Sequence, residues 1–468
     1  MTLINPNASR REFLRRSSAL SAAGIGSVGA PLAMNLAAIG EVAAQTATDY
    51  KAIVCIFLLG GNDYANTLTP FDASNYNEYA RLRGATLAYP LTSLTALAPL
   101  TASAPIGDTD LQGRQFALAP NLAQLAPIFN DKKLAVLLNA GTLIQPTTKA
   151  QYTAKSVLLP PKLMSHNDQQ SYWQSSGAEG ATSGWGGRMG DIFASGNGNS
   201  TFTCISVTGN AVFLSGKSSV QYQVSTSGSV ALTAIKSPLF GSTSVANTLK
   251  SLITAPSTQM FESEHSRIMA RALTANDSLS AALAASPPFT DPFDTTNSLA
   301  MQLKMVAQII GARNALTAKR QVFFVSLGGF DTHDRLTADH AVLMSKLADA
   351  MSDFNKAMIA AGTQNMVTSF TASDFGRTLT GNGDGSDHGW GSHHLIMGGA
   401  VNGQRFYGTP PAVASSGPDD IGQGRLVPTT SVDQIASTLA TWFGVSATSM
   451  VDVLPNLTNF STKKLGFL

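Results

Sequence analysis

The sequence predicts an α/β fold built on a mostly parallel, doubly wound sheet. Two observations support this prediction. Several continuous apolar runs end at glycine or at a polar turn, which is typical of buried parallel strands. Segments of helical periodicity separate these runs, and the alternation of strand with helix is the signature of a parallel sheet with helices on its faces.

Five segments are predicted to form strands of the sheet. The first, 52–59, is β-branched at its start and ends at Gly60 and Gly61. The others are 134–138, 321–327, 366–372 and 394–397. Helical periodicity predicts helices over 118–129, 298–318, 336–361 and 431–443, the last with Ser431 as its N-cap.

Between positions 202 and 236 the chain changes character. Short β-like segments at 203–207 and 220–224 lie in a background rich in serine and glycine. We interpret this stretch as a small β-rich insertion that forms an inserted cap subdomain. Cys55 and Cys204 lie in apolar, strand-like runs, which favours two separate buried thiols over a disulfide.

The segment 1–44 is typical of a twin-arginine export signal peptide. Arg10 and Arg11 form the arginine pair, a weakly apolar stretch follows, and small residues at 42–44 offer a cleavage point. Glycines and a proline disfavour a stable spanning helix there, and no later run approaches the roughly 20 apolar residues that a membrane span needs. We therefore predict that the domain 45–468 is carried out by the twin-arginine translocase and becomes periplasmic or secreted, with no stable membrane span.

The charge balance excludes one class of partner. The whole chain has 31 basic and 29 acidic residues, a net charge of +2. The predicted signal peptide holds the excess, so the remaining chain is formally neutral. A neutral chain lacks the electrostatic footprint of a protein that binds nucleic acid or an anionic membrane.

The histidines are clustered, and this clustering is the main indication of chemistry. Seven are present, and only His265 and His340 lie outside three short, Asp-rich segments. Imidazoles and carboxylates held close together are ligands of borderline divalent metals. We therefore predict a hydrolytic metal site. The clustered histidines are His166, His333, His388, His393 and His394.

Two candidate site residues have a structural alternative. Asp63 follows the first strand and is either a metal ligand at the strand end or part of an Asn-Asp turn. Ser165 is either a nucleophile activated by metal coordination or a helix N-cap, with Asp168 in the capping-box position. The two roles of Ser165 are compatible, because a nucleophile at a helix N-terminus is stabilised by the helix dipole.

Metal ligation is the favoured interpretation of the other two segments. Asp331 and His333 follow a strand end marked by glycines, where an irregular loop can direct both side chains to one ion. The alternative is a polar helix start with Asp331 as its N-cap. The segment 387–394 contains three histidines and Asp387 among glycines, which let the backbone fold tightly enough for several side chains to point inward.

Together these segments resemble the exported bacterial family called domain of unknown function 1501, in the alkaline phosphatase and sulfatase superfamily. The resemblance covers nearly the whole mature chain. The motifs that carry it are, in order, 9–14, Gly60-Gly61-Asn62-Asp63, Ser165-His166, Gly328-Gly329-Phe330-Asp331-Thr332-His333, Asp374-Phe375-Gly376-Arg377-Thr378, Asp387-His388-Gly389 and 398–403.

The resemblance implies a three-layer α/β/α sandwich of the alkaline phosphatase type, with one or two divalent ions (zinc, manganese or calcium). Ser165 is the implied nucleophile, and either His393 or His394 is the implied final histidine. The candidate metal ligands are Asp63, Asp331, His333, Asp374, His388 and His394.

The sequence departs from the superfamily pattern in two ways, and one further residue is a candidate for catalysis. Phe375 stands where phosphatases have a histidine, and the spacing of Asp331 and His333 is tighter than usual. Arg377 is a candidate catalytic residue that clamps an anionic oxygen, or else it pairs with Asp374.

The predicted function is an exported metal-dependent hydrolase of phosphate or sulfate esters, acting on a small molecule or a polysaccharide. The alternative is a non-catalytic, metal-stabilised extracytoplasmic protein for binding or assembly. In that case aromatic residues would form a sugar-stacking face, namely Trp173, Trp185, Trp390 and Tyr407.

Overall fold

A mixed sheet of nine strands forms the centre of the protein. A computed structural model describes residues 47–100, 111, 113–228, 233–286 and 293–468. The strands are β1 (Lys51–Leu59), β2 (Leu68–Pro70), β3 (Thr95–Leu97), β4 (Phe116–Leu118), β5 (Leu134–Gly141), β6 (Cys204–Ser206), β7 (Tyr222–Gln223), β8 (Arg320–Gly328), β9 (Val367–Ser373), β10 (Ser392–Gly398), β11 (Phe406–Tyr407) and β12 (Thr430–Ser431).

Helices precede or follow most of the long strands. They are α1 (Ala73–Leu87), α2 (Ala126–Asn130), α3 (Lys149–Ala154), α4 (His166–Ser175), α5 (Trp185–Phe193), α6 (Thr233–Lys236), α7 (Thr243–Thr254), α8 (Met260–Ala284), α9 (Ser298–Gly311), α10 (Leu336–Ala360), α11 (Val432–Phe443) and α12 (Met450–Val453).

The main sheet has the order β11-β5-β10-β9-β1-β8-β6-β7, and β12 also pairs with β5. Every pairing in it is parallel except those of β10, which runs antiparallel to β5 and β9. The chain passes from β9 to β10 through a loop, without the helical crossover that a parallel connection requires. A second, antiparallel sheet contains β2, β4 and β3.

Both faces of the main sheet are buried. Val54 and Ile56 of β1 belong to one apolar cluster, which includes residues of α9 and α10. Cys55 and Phe57 point the other way into a second cluster, which includes residues of α5 and α11. Alternate residues of one strand thus enter separate cores, and each large side chain buried in this way contributes about 1.5–3 kcal/mol. The predicted α/β/α sandwich with a mostly parallel sheet is confirmed.

The five predicted strands correspond to β1, β5, β8, β9 and β10, with ends shifted by a few residues. The helices predicted at 336–361 and 431–443 correspond to α10 and α11, and Ser431 caps α11 in a capping box with Gln434. The helix predicted at 298–318 ends at Gly311.

The helix predicted over 118–129 is wrong in part. Its first residue, Leu118, belongs to β4, a 3₁₀ helix covers Pro120–Leu125, and only Ala126–Asn130 is α-helical. Prolines at 120 and 127 explain the break, since proline lacks the N–H that an α-helix interior requires and is tolerated only in a first turn.

The stretch 202–236 contributes to the main sheet. β6 pairs with β8, and β7 pairs with β6 at the edge of the sheet. Cys55 and Cys204 are free and buried, as predicted. Within the described ranges, no helix is both long enough and apolar enough to cross a membrane. The predicted export signal lies outside the described residues.

Candidate metal centre

The carboxyl ends of three adjacent parallel strands meet at one edge of the main sheet. β1 leads to Gly60, β8 leads to Asp331, and β9 leads to Asp374. Gly60 has φ +121°, and a Cβ there would lie 2.3 Å from the backbone nitrogen of Asp331. Only glycine therefore lets the β1 and β8 loops approach this closely. The candidate site lies at this edge, as expected for an α/β sheet.

Three histidines surround the carboxylate of Asp331. The Nε2 atoms of His333 and His388 lie 3.0 Å and 3.1 Å from Asp331 Oδ1, and His166 Nε2 lies 3.4 Å from Oδ2. His333 and His388 have their Nε2 atoms 2.9 Å apart. Donor atoms of His166, Asp331 and His388 all lie within 4.8 Å of one another.

Two of these histidines are fixed by a hydrogen bond at the other ring nitrogen, and the third has a carboxylate nearby. His166 Nδ1 donates to Asp374 Oδ2 at 2.7 Å, and His388 Nδ1 donates to the carbonyl of Met164 at 2.8 Å. His333 Nδ1 lies 3.5 Å from Asp387 Oδ1. Such outer partners fix the ring orientation and leave the Nε2 lone pair for a metal.

The spacing of the donors fits a divalent transition metal. Two ligands at about 2.0–2.1 Å from a tetrahedral ion are separated by roughly 3.3 Å, which is close to the distances around Asp331. A carbonyl can only accept, so Nδ1 of His388 carries a proton and Nε2 of the neutral ring carries a lone pair. Since His333 Nε2 is 2.9 Å away, the two Nε2 atoms cannot both be protonated without a clash.

Hydrogen bonds, charges and burial shift the pKa values of the site residues in different directions. The hydrogen bond to Asp374 raises the pKa of His166, whereas burial lowers the pKa of His388. Burial alone would raise the pKa of Asp331, but the hydrogen bond and charge of Arg377 outweigh it and the pKa is lowered. Asp331 is therefore ionised and able to bind a cation.

Asp374 supports His166 through one of its two carboxylate oxygens. Its Oδ2 accepts from His166 Nδ1, from Gln170 Nε2 at 2.9 Å and from the backbone nitrogen of Gly60 at 3.2 Å. The side chain is fully buried. Its other oxygen, Oδ1, is buried and has no hydrogen-bond partner in the described part of the chain, so Asp374 as a direct ligand stays a prediction.

Arg377 is also a supporting residue. Its side chain is fully buried, and its Nη1 donates to Asp331 Oδ1 and to the carbonyls of Gly60 and Phe330. Its Nε and Nη2 bind Ser386. Because these contacts engage all three guanidinium nitrogens, the predicted clamp on a substrate oxygen does not agree with the structure.

Asp63 lies outside the cluster. Arg83 of α1 binds both of its carboxylate oxygens, at 2.7 Å and 2.5 Å, and both side chains are fully buried. Burial opposes the charge of Asp63, but Arg83 more than compensates and the pKa is lowered. Asp63 therefore has a structural role, as the alternative of a turn residue predicted, and its main partner is an arginine. Its carboxylate also accepts a hydrogen bond from the backbone nitrogen of Ala65.

His393 and His394 are likewise buried in the protein interior. His394 packs against Trp173, and its Nε2 has no hydrogen-bond partner within the described part of the chain. Burial lowers its pKa to about 3. His393 Nδ1 accepts from the backbone nitrogen of Asn139 at 3.1 Å. Neither histidine belongs to the cluster around Asp331, so the prediction that His394 is a ligand is corrected.

Ser165 occupies the N-cap position of α4, directly before His166. Its hydroxyl donates to Asp168 Oδ2 at 2.8 Å and does not cap the backbone. Lys162 Nζ lies 3.6 Å from the same carboxylate oxygen. Ser165 thus combines the N-cap position with a hydrogen bond from its hydroxyl to a carboxylate.

Phe375 packs against the two histidines that flank it. Its ring centroid is 4.9 Å from that of His166 and 4.6 Å from that of His388. The aromatic residues of the alternative sugar-stacking face do not form a surface. Each is at most 3% exposed, which excludes stacking on a ligand; they are Trp173, Trp185, Trp390 and Tyr407.

His166 lies among the clustered histidines but was not among the predicted metal ligands. Gln170 was missed as well. The two residues are four positions apart on α4, so they lie on the same helix face, and both reach Asp374. That spacing was a usable signal. Nothing in the sequence indicated that Arg83 would bind Asp63, because 20 residues separate them.

The family model described as protein of unknown function (DUF1501) matches residues 50–454. The chain belongs to this family. The membership predicted from the motifs is thereby confirmed. No curated protein matches the chain.

Solved structures similar to this family member include sulfatases and alkaline phosphatases. Ps i-CgsB, solved in complex with k-i-k-neocarrahexaose, has 10% identity and a TM-score of 0.35, over 88% of this chain and 77% of that one. The PsFucS1 sulfatase from Pseudoalteromonas sp. has 8% identity and a TM-score of 0.33, over 92% and 75%. The alkaline phosphatase from the Antarctic bacterium TAB5 has 9% identity and a TM-score of 0.24, over 75% and 92%.

We expect Asp63→Asn to destabilise the protein without removing metal. Breaking a fully buried ion pair costs about 3–5 kcal/mol, because the remaining charge is left unpaired. Chemical denaturation measures the loss, and mass spectrometry measures the metal. Glu78→Gln is the matched control, since it breaks an exposed pair with Arg81 on the same helix and leaves the denaturation midpoint unchanged. Metal loss at unchanged stability would contradict the assignment.

We expect His394→Phe to weaken the loss of stability in acid. The folded-state pKa of about 3 lies below the ordinary value of 6.5, so the unfolded chain binds the proton more tightly. The stability from neutral His394 is complete above pH 6.5 and is lost as the pH falls toward 3. Between pH 7 and 5 the variant should lose about 2 kcal/mol less unfolding free energy than the unmodified protein.

Denaturant titrations at both pH values provide this measurement. The exposed His265→Gln variant is the control and should retain the full pH dependence. If the free energy of unfolding changed with pH in the same way for His394→Phe and the unmodified protein, His394 would be protonated equally in the folded and the unfolded state, and the prediction would be wrong.

Proposed function

We propose that the chain is a metal-dependent hydrolase of phosphate or sulfate esters that works outside the cytoplasm. One observation carries the proposal. Imidazole nitrogens of His166 and His388 and the carboxylate of Asp331 face one point, and each imidazole is fixed behind by a hydrogen-bond acceptor. Two histidines and one carboxylate are a donor set used for catalytic divalent metals.

The surroundings of these three residues favour catalysis over a purely structural role. Three protein ligands leave at least one position of a four-coordinate ion for water or substrate. The side chains are also accessible: Asp331 is 45% exposed, His166 31% and His388 24%. A bound divalent ion would supply Lewis-acid activation and lower the pKa of water.

The charge of the ligand set supports an anionic substrate. The two imidazoles bind a metal as neutral donors, and Asp331 supplies a single negative charge. A divalent ion held by these ligands would therefore keep a net positive charge and attract anions. Phosphate and sulfate esters carry anionic oxygens, and a substrate screen with both esters distinguishes the two chemistries.

His333 is placed to handle a proton beside the open position. Its Nε2 lies 3.0 Å from Asp331 Oδ1, and its side chain is 46% exposed. Asp387 lies behind its Nδ1 and orients the ring. We assign His333 the role of proton acceptor; as a fourth ligand it would leave a position for substrate only on a five-coordinate ion.

Ser165 remains the proposed nucleophile. Its hydroxyl donates a hydrogen bond to Asp168, whose side chain is nearly fully buried, and this contact would orient the oxygen for attack on the ester phosphorus or sulfur as the alcohol leaves. Asp374 and Arg377 are positioning residues: the first orients His166, and the second holds Asp331.

We expect metal affinity to fall in a graded order. His388→Ala and Asp331→Asn remove direct ligands and should abolish metal binding, whereas Asp374→Asn removes an outer partner and should weaken affinity about 10- to 100-fold. Mass spectrometry and calorimetric titration of the exported protein, purified without chelator, give the stoichiometry and affinity. His265→Ala on α8 is the exposed control and should bind metal normally. Normal metal content in Asp331→Asn would overturn the proposed centre.

We expect Ser165→Ala to keep the metal and lose turnover. Removal of a nucleophile typically costs a factor of about 10³ or more. Activity toward 4-nitrophenyl phosphate and 4-nitrophenyl sulfate is measured beside metal content. Ser242→Ala is the control, because Ser242 is another N-cap serine whose side chain makes no capping bond. Turnover at the unmodified rate in Ser165→Ala would leave activated water as the nucleophile.

A further inference from the structure

A small cavity lies between the three-stranded sheet and the start of β10. Its volume is about 20 Å³. One water needs a volume of about 10–15 Å³, so the cavity has room for a single small ligand. Its polar lining residues are Tyr64, Arg114 and His393, and the rest of the lining consists of aliphatic, proline and phenylalanine side chains from β2, β4, the segment 411–413 and Leu379.

Arg114 offers unused donors to this cavity. Its Nη1 donates to the carbonyl of Pro411 at 2.5 Å, whereas its buried Nε and Nη2 have no hydrogen-bond partner in the described part of the chain. The guanidinium carbon lies 5.5 Å from the centroid of the Phe116 ring, and none of the ion pairs among the described residues involves Arg114. The negative charges of Asp72 and Asp419 act on Arg114. Their carboxylates accept hydrogen bonds from the backbone nitrogens of Gln115 and Ala412.

His393 offers one more donor. Its Nδ1 accepts from the nitrogen of Asn139, which places the ring proton on Nε2. The residue is only 3% exposed, and among the described residues none binds that Nε2. The edge of the ring faces Tyr64, with the two ring centroids 5.2 Å apart. The hydroxyl of Tyr64 donates to the carbonyl of Gly424 at 3.3 Å.

We propose that this cavity is a binding site for one small monoatomic anion of chloride size. Arg114 and His393 both line the cavity, and three of their nitrogens carry N–H donors without a partner among the described residues, beside one positive charge and a mostly apolar lining. Water would need acceptors for its protons, whereas an anion needs donors alone, and buried donors strongly favour a partner. The anion joins β4, β10 and the segment 411–413, and its role is structural and independent of the metal centre.

Halide titration of the intact exported protein with its metal tests the site. Chloride and bromide should raise the melting temperature saturably, by roughly 3 °C at 100 times the dissociation constant for a chain of this length. Gluconate and methanesulfonate at equal ionic strength are too large to enter and should give no such rise. Equal effects of all four anions would overturn the proposal.

Two further measurements locate the effect. Arg114→Met should lose the saturable rise, and the exposed Arg81→Met should retain it. Crystals grown in bromide should give an anomalous peak within hydrogen-bond distance of Arg114 Nη2 and His393 Nε2. That peak tests the site even where Arg114→Met fails to fold. A density peak without anomalous signal would identify water and overturn the proposal.

Discussion

The buried guanidinium of Arg377 is the interaction on which the site depends. It binds the carbonyls of Gly60 and Phe330, which follow β1 and β8, and it binds Ser386 in the loop that follows β9. It also donates to Asp331, the carboxylate at the centre of the histidine cluster. Three loops from adjacent strands are therefore joined at one side chain. An ammonium group could not replace it, because only a planar guanidinium presents five N–H groups in this fixed arrangement.

The outer partners of the histidines come from separate parts of the chain, and one of them carries backbone strain. Met164 accepts, through its backbone carbonyl, a hydrogen bond from Nδ1 of His388. Its φ of +68° lies in the left-handed region, which costs a non-glycine residue about 1–2 kcal/mol. The segment before α4 thus holds a strained conformation that turns a carbonyl toward a metal ligand, as strained backbone at functional sites often does.

Sequence reasoning was strongest where local pattern and tertiary structure agree. The strands β1, β5, β8, β9 and β10 were predicted because buried strands are continuous apolar runs with polar ends. The edge of the sheet that holds the site followed from the same pattern. The ligand set was predicted less well, because a carboxylate in the sequence does not reveal its partner. Asp63 and Asp374 carry the same functional group as Asp331, yet one binds Arg83 and the other His166.

The antiparallel direction of β10 has a consequence for the loop that carries His388. The loop leaves β9 and returns to β10 at the same edge of the sheet, and within it Gly376 and Trp390 are joined by a backbone hydrogen bond, as are Thr378 and Asp387. His388 therefore sits on a hairpin anchored at both ends, not on a crossover. The entropy of closing that loop is lost during folding, so His388 is already ordered before any ligand arrives. The tip of the hairpin is held as well, because the nitrogen of Ser386 donates to the carbonyl of Thr332 and the nitrogen of Leu336 donates to the carbonyl of Asp384. A change in the length of the tip would therefore displace the loop that carries His333 together with the partner of Arg377.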